Sequence, residues 1–97
     1  MAIIKKAIVK KPDEKKDRII EELTGVFNDM GYSVRIEKGA FKGGFCLLKA
    51  EKVFLLNRNI DQDRKISILA KNIAELGTED IFLKPNIRDL VDKYSVE

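Results

Sequence analysis

Histidine and tryptophan are absent from this chain, and cysteine occurs once, at Cys46. Without His there is no imidazole base, no His metal ligand and no side chain that ordinarily titrates near neutrality. A lone thiol excludes an internal disulfide and a multi-thiolate zinc site within one chain, so no metal is expected, and no cofactor is expected either. An unpaired thiol suits a reducing compartment, which points to the cytoplasm. Proline and glycine are both scarce, at two and six residues, which excludes a fibrous or low-complexity chain. No apolar run approaches the length of a membrane-spanning helix. The first eleven residues are partly apolar, but the pairs Lys5-Lys6 and Lys10-Lys11 break them up, so they lack the apolar centre of a signal peptide.

What remains suits a small globular domain. Ninety-seven residues are enough for one domain and too few for two. The apolar fraction of 44 % can form a core, and the charged fraction of 36 % implies a heavily solvated surface. Net charge is +3 but is unevenly placed. Residues 1–16 carry six lysines against Asp13 and Glu14, a local +4, and the other 81 residues sum to −1. The expected organisation is therefore a basic leader or edge strand over residues 1–12, followed by a single α+β domain over 13–97.

The pattern after Pro12 predicts a helix from about Asp13. Ile19, Ile20, Leu23, Val26, Phe27 and Met30 form one apolar stripe, and Gly31 follows as a left-handed stop. Asp13, Glu14 and Asp17 lie where the helix dipole favours negative charge. Tyr32, Val34 and Ile36 then alternate with Ser33, Arg35 and Glu37, as in a half-buried strand. Phe45-Cys46-Leu47-Leu48 and Val53-Phe54-Leu55-Leu56 are apolar on both faces and are joined by the polar turn of residues 49–52, as in a hairpin covered on both sides. A second helix is expected from about Asp61, with Ile66, Leu69, Ala70, Ile73 and Leu76 on one side and Gly77 as its stop. Residues 81–83 fit either a short strand or a packing loop, and Pro85 suits the start of a third helix. The expected fold is α+β in the order α-β-β-β-α-α, an antiparallel three-stranded meander with helices packed on it. Residues 3–9 are a candidate extra strand.

The most distinctive segment is Glu37-Lys38-Gly39-Ala40-Phe41-Lys42-Gly43-Gly44-Phe45-Cys46-Leu47. Together with Val53-Phe54-Leu55-Leu56-Asn57 it resembles a group of small bacterial proteins that carry a similar Gly-Gly-x-Cys hairpin. The likeness runs from about residue 30 to residue 76 and implies a fold but no activity. A phosphate-binding loop would lead its glycines into a helix followed by Gly-Lys-Ser/Thr, whereas these lead into a strand. Asn57 to Asp63 places oxygen ligands at alternate positions, yet Gln62 and Ile68 stand where a calcium loop needs Gly and Glu. The stretch 53–76 also resembles the strand-then-helix core of zinc metallopeptidases, but the window Ala70–Ala74 lacks every residue of His-Glu-x-x-His. Lys42-Gly43 would open an RNA-binding strand motif that then fails at Gly44, Phe45, Cys46 and Lys49. Cys46, in an apolar run, is expected to be buried and inert.

These readings leave Lys42, Gly43, Gly44, Asn57, Arg58 and Arg64 as the candidate surface site, where a strand ends and a helix begins. No paired acid–base constellation is visible, so a non-enzymatic role is expected. The leading expectation is a cytoplasmic binding or assembly module that forms a homodimer or meets a protein partner through its two-sided sheet. Residues 3–9, the helix from Pro85 or a second copy would cover the second sheet face. The alternative is a nucleic-acid binder using the lysine-rich leader.

Overall fold

The computed structural model describes residues 13–39 and 42–95. The leader and its candidate strand at residues 3–9 lie outside them. Within them the order is α1 (Glu14–Asp29), β1 (Ser33–Glu37), a 3-10 turn (Lys42–Gly44), β2 (Phe45–Leu48), β3 (Val53–Asn57), α2 (Gln62–Leu76) and α3 (Pro85–Ser95). The α-β-β-β-α-α order is thus the one the periodicities imply. Residues 81–83 are a packing loop: Leu83 is buried, Ile81 packs on the core and Phe82 is 81 % exposed. None of the described helices is long and apolar enough to cross a membrane.

The helix ends follow their local chemistry. The Asp13 carboxylate accepts from the backbone N–H groups of Lys15 and Lys16, and Asp61 does the same for Arg64, so each satisfies amides left over at a helix start. Gly31 has φ +92°, and the N–H of Tyr32 reaches back to the carbonyl of Phe27. Pro85 opens α3, where its missing N–H costs nothing.

The sheet departs from the expected antiparallel meander. Its order is β1-β3-β2: β1 pairs parallel with β3, Ser33 opposite Val53 and Glu37 opposite Asn57, and β2 pairs antiparallel with β3. The hairpin forms as expected, but the sheet is mixed and β3 is its central strand. Composition accounts for the edge place of β1 and does not separate β2 from β3, since both are apolar on both faces. Val53, Phe54, Leu55 and Leu56 are apolar on both faces and suit the position with a neighbour on each side. Ser33, Arg35 and Glu37 make β1 polar on one face, which an edge tolerates. Residues 38–44 are long enough to cross the end of β3, a span of about two strand spacings or ~10 Å. A meander would instead have put the four-residue β2 in the middle.

Helices occupy one side of this sheet. Leu23, Val26 and Phe27 of α1, Ile66, Leu69 and Ile73 of α2 and Ile87 and Val91 of α3 form one buried cluster with Phe54 and Leu56. Each large apolar side chain fully buried there contributes about 1.5–3 kcal/mol before ordering costs. Phe54 is the hinge of the packing, with its ring stacked 4.6 Å from Phe27 and 5.6 Å from Phe45. That aromatic row ties α1 through the central strand to β2.

Candidate functional site

β1 ends at Glu37 and β3 at Asn57, side by side, and most of the sequence-chosen residues meet near these strand ends. Asn57 is the last residue of β3. Its Nδ2 donates to the carbonyl of Gly39 at 2.9 Å, and its Oδ1 accepts from the N–H of Asn59 at 2.8 Å. The N–H of Arg58 extends the β1 pairing by donating to Glu37 at 2.9 Å. In the turn itself, Gly43 and Gly44 both take left-handed conformations, at φ +78° and +91°. Gly44 is buried, and a side chain there would meet Ile68 and Ile60. Arg64, from the first turn of α2, reaches over with its Nη2 3.5 Å from the Gly43 carbonyl.

The structure therefore brings Gly43, Gly44, Asn57, Arg58 and Arg64 around one loop, with Lys42 at the start of the same turn. Their roles differ. Both ends of the Asn57 carboxamide bond within the chain, and Gly44 sits where a Cβ would press on Ile68. Arg58 is exposed, and among the described residues its side chain makes no ion pair. Among the described residues of this cluster no hydroxyl, thiol or carboxylate stands beside a base, so what they offer is polar contact and positive charge.

Cys46 is not buried in the core. It is half-buried on the face of the sheet turned away from the helices. The register defines that face. Arg35, Leu55 and Cys46 form one row across the strands, and Ser33, Val53 and Leu48 form the next. Leu48, Val53 and Leu55 are half-buried and take no part in the helix-side core. On the β1 side, Arg35 and Glu37 pair at 3.0 Å. The helix from Pro85 packs against α2 in the helical layer, so it does not cover this face.

Two openings lie on the helical side, and sequence reasoning pointed to neither. One, of about 300 Å³, is a groove between α1 and the start of α3 bordered by Gly25, Asp29 and the exposed Phe82. On its wall, Lys84 holds Glu22 at 3.1 Å and Asn86 adds a longer contact at 3.5 Å. The Lys84 hydrogen bond, opposed by some desolvation, keeps the Glu22 carboxyl below the usual carboxylate range. The other opening is a cleft with Asn72 in its wall. The one sequence signal for Asn72 is a polar residue a turn away from both Ile68 and Leu76, inside an otherwise apolar stripe. Comparison with protein-family models, with curated proteins and with solved structures finds no match for this chain.

Proposed function

We propose that this domain is a binding and assembly module that self-associates through the sheet face opposite its helices. The observation that supports the reading is the apolar patch of Cys46, Leu48, Val53 and Leu55, over which no described helix or strand lies. An apolar sheet face is ordinarily covered. Two-fold dimers are the commonest assemblies, and their interfaces are self-complementary. The flanking Arg35–Glu37 pair fits that geometry, because a two-fold rotation lets the cation of one copy meet the anion of the other.

Sedimentation across the micromolar range, with Cys46 labelling measured in parallel, tests this. A dimer predicts thiol labelling that slows as protein concentration rises, because the second copy covers Cys46. Leu55→Glu should yield a folded monomer whose labelling no longer depends on concentration, with Leu48→Glu on the edge strand as the milder variant. A wild-type chain that stays monomeric, with concentration-independent labelling, sinks the proposal and makes the leader the cover to test next.

A further inference from the structure

Asn72 of α2 is only 6 % exposed and is the one polar side chain among the described residues that the core encloses to this degree. Its Nδ2 donates to the carbonyl of Ile68, one turn earlier, at 2.8 Å. Only a nitrogen can donate to a carbonyl, so this bond sets the orientation of the carboxamide. It leaves Oδ1 and the second N–H of Nδ2 over. No described residue donates to Oδ1, yet no fully enclosed side-chain nitrogen or oxygen among the described residues lacks a partner. The opening that Asn72 lines is a cleft of about 390 Å³ between α2, the start of β2 and the end of α3, within the ~300–1,000 Å³ usual for small-molecule sites.

The fold gains little from an asparagine here. Leucine would continue the stripe between Ile68 and Leu76, form helix more readily and avoid burying a half-satisfied carboxamide. The cleft lining accounts for the polar choice. Phe45 and Tyr94, both half-buried, and the buried Ile68 give apolar and aromatic walls, while Lys71 and Glu75 border it with opposite charges that cancel.

We propose that this cleft binds a small, neutral, planar heterocycle whose edge carries an N–H beside a carbonyl, the lactam edge of pyridones and pyrimidine bases. The ligand N–H donates to Asn72 Oδ1, its carbonyl accepts the remaining N–H of Nδ2, and the ring lies against Phe45 and Tyr94. The cleft is on the helical side, so this site is independent of the sheet face proposed for assembly.

The test is a titration of isotope-labelled full-length protein with uracil and with pyridone, followed by the side-chain amide signals of Asn72 and the backbone signals of Phe45 and Tyr94. Expected are saturable shifts at these three residues. Affinity should fall at least about tenfold for the N-methyl derivative of pyridone and the N,N-dimethyl derivative of uracil, which lack the donor. Asn72→Leu should remove the response by a similar factor. Ser67→Tyr, at the half-buried rim, should block the cleft and serves if Asn72→Leu perturbs the fold. Leu55→Glu should bind as the parent chain does. Absence of saturable shifts with either probe, equal binding of the methylated analogues, or variants that titrate like the parent overturns the proposal.

Discussion

The side chain of Gln62 pairs with the backbone of Asp13 on both its polar groups. Its Oε1 accepts the Asp13 N–H at 3.1 Å, and its Nε2 donates to the Asp13 carbonyl at 3.1 Å and to the Asp17 carboxylate at 2.7 Å. Asp13 caps α1 and Gln62 opens α2, so the contact brings together two helix N-termini, both positive ends of dipoles. Asp13, Asp17, Asp61 and Asp63 gather around them and offset that repulsion. Lys16 completes the junction by pairing with Asp63 at 3.0 Å, and its ammonium is held above its usual value chiefly by that hydrogen bond.

Removing this clamp should be measurable in urea denaturation. Gln62→Leu is expected to cost about 1 kcal/mol, the net worth of a few solvent-facing hydrogen bonds. Gln62→Glu should cost more at neutral pH, because it sets a carboxylate against Asp17 and the Asp13 carbonyl. Its deficit should shrink as acid protonates the new group. A Gln62→Glu protein as stable as the parent at neutral pH would show that the clamp is not formed in solution.

The two glycines of the 3-10 turn should respond unequally to alanine. Both have positive φ, which costs a residue with a Cβ about 1–2 kcal/mol. At Gly43 the new Cβ would lie 3.7 Å from Phe45, ordinary contact, so Gly43→Ala should show little beyond that cost. At Gly44 it would lie 3.3 Å from Ile68 and 3.5 Å from Ile60 inside the core, so Gly44→Ala should lose more, about 2–3 kcal/mol. Equal denaturation midpoints for the two variants would contradict the packing described for Gly44.

Gly25 predicts the opposite sign. It lies inside α1, no atom comes within 4 Å of a Cβ built there, and its backbone is helical. Gly25→Ala should raise stability by about 0.5–1 kcal/mol, the usual helix-interior gain. A loss on thermal or urea unfolding would mean that the groove bordered by Gly25 and Phe82 closes more tightly than the structure shows.

Acid should weaken the Glu22–Lys84 contact in a defined direction. Because the folded-state pKa of Glu22 is lowered, the contact stabilises the fold above the unfolded carboxylate pKa and loses that effect as pH falls through the lower folded value. The pair faces solvent, so the contribution is small. Comparing urea midpoints at about pH 7 and about pH 3, Glu22→Gln should lose less stability on acidification than the parent. A parent and variant with parallel pH profiles would leave Glu22 with no part in acid sensitivity.

Local physics settled a large share of this fold in advance. The stripes of α1 and α2, the caps at Asp13 and Asp61, the stop at Gly31 and the start at Pro85 depend on residues within a turn or two of one another, and each is readable in the chain. The faces of the strands are readable for the same reason, since alternation is local. Strand order was not. Pairing β1 parallel to β3 depends on backbone hydrogen bonds between residues about twenty positions apart and on the contact between Asn57 and Gly39, and alternation is blind to which neighbour a strand takes. Comparing whole strands puts β1 at an edge but does not choose the central strand, because β2 and β3 are both apolar on both faces. Cys46 shows the same limit, because its run was apolar throughout and only the position of the helices decided which side became core. Asn72 was visible as a polar break in a stripe, but the cleft beside it exists only where α2, β2 and the end of α3 meet. Sequence determines what a few neighbouring residues can do alone, and tertiary structure decides which surfaces they share, because burial is gained only when distant segments come together.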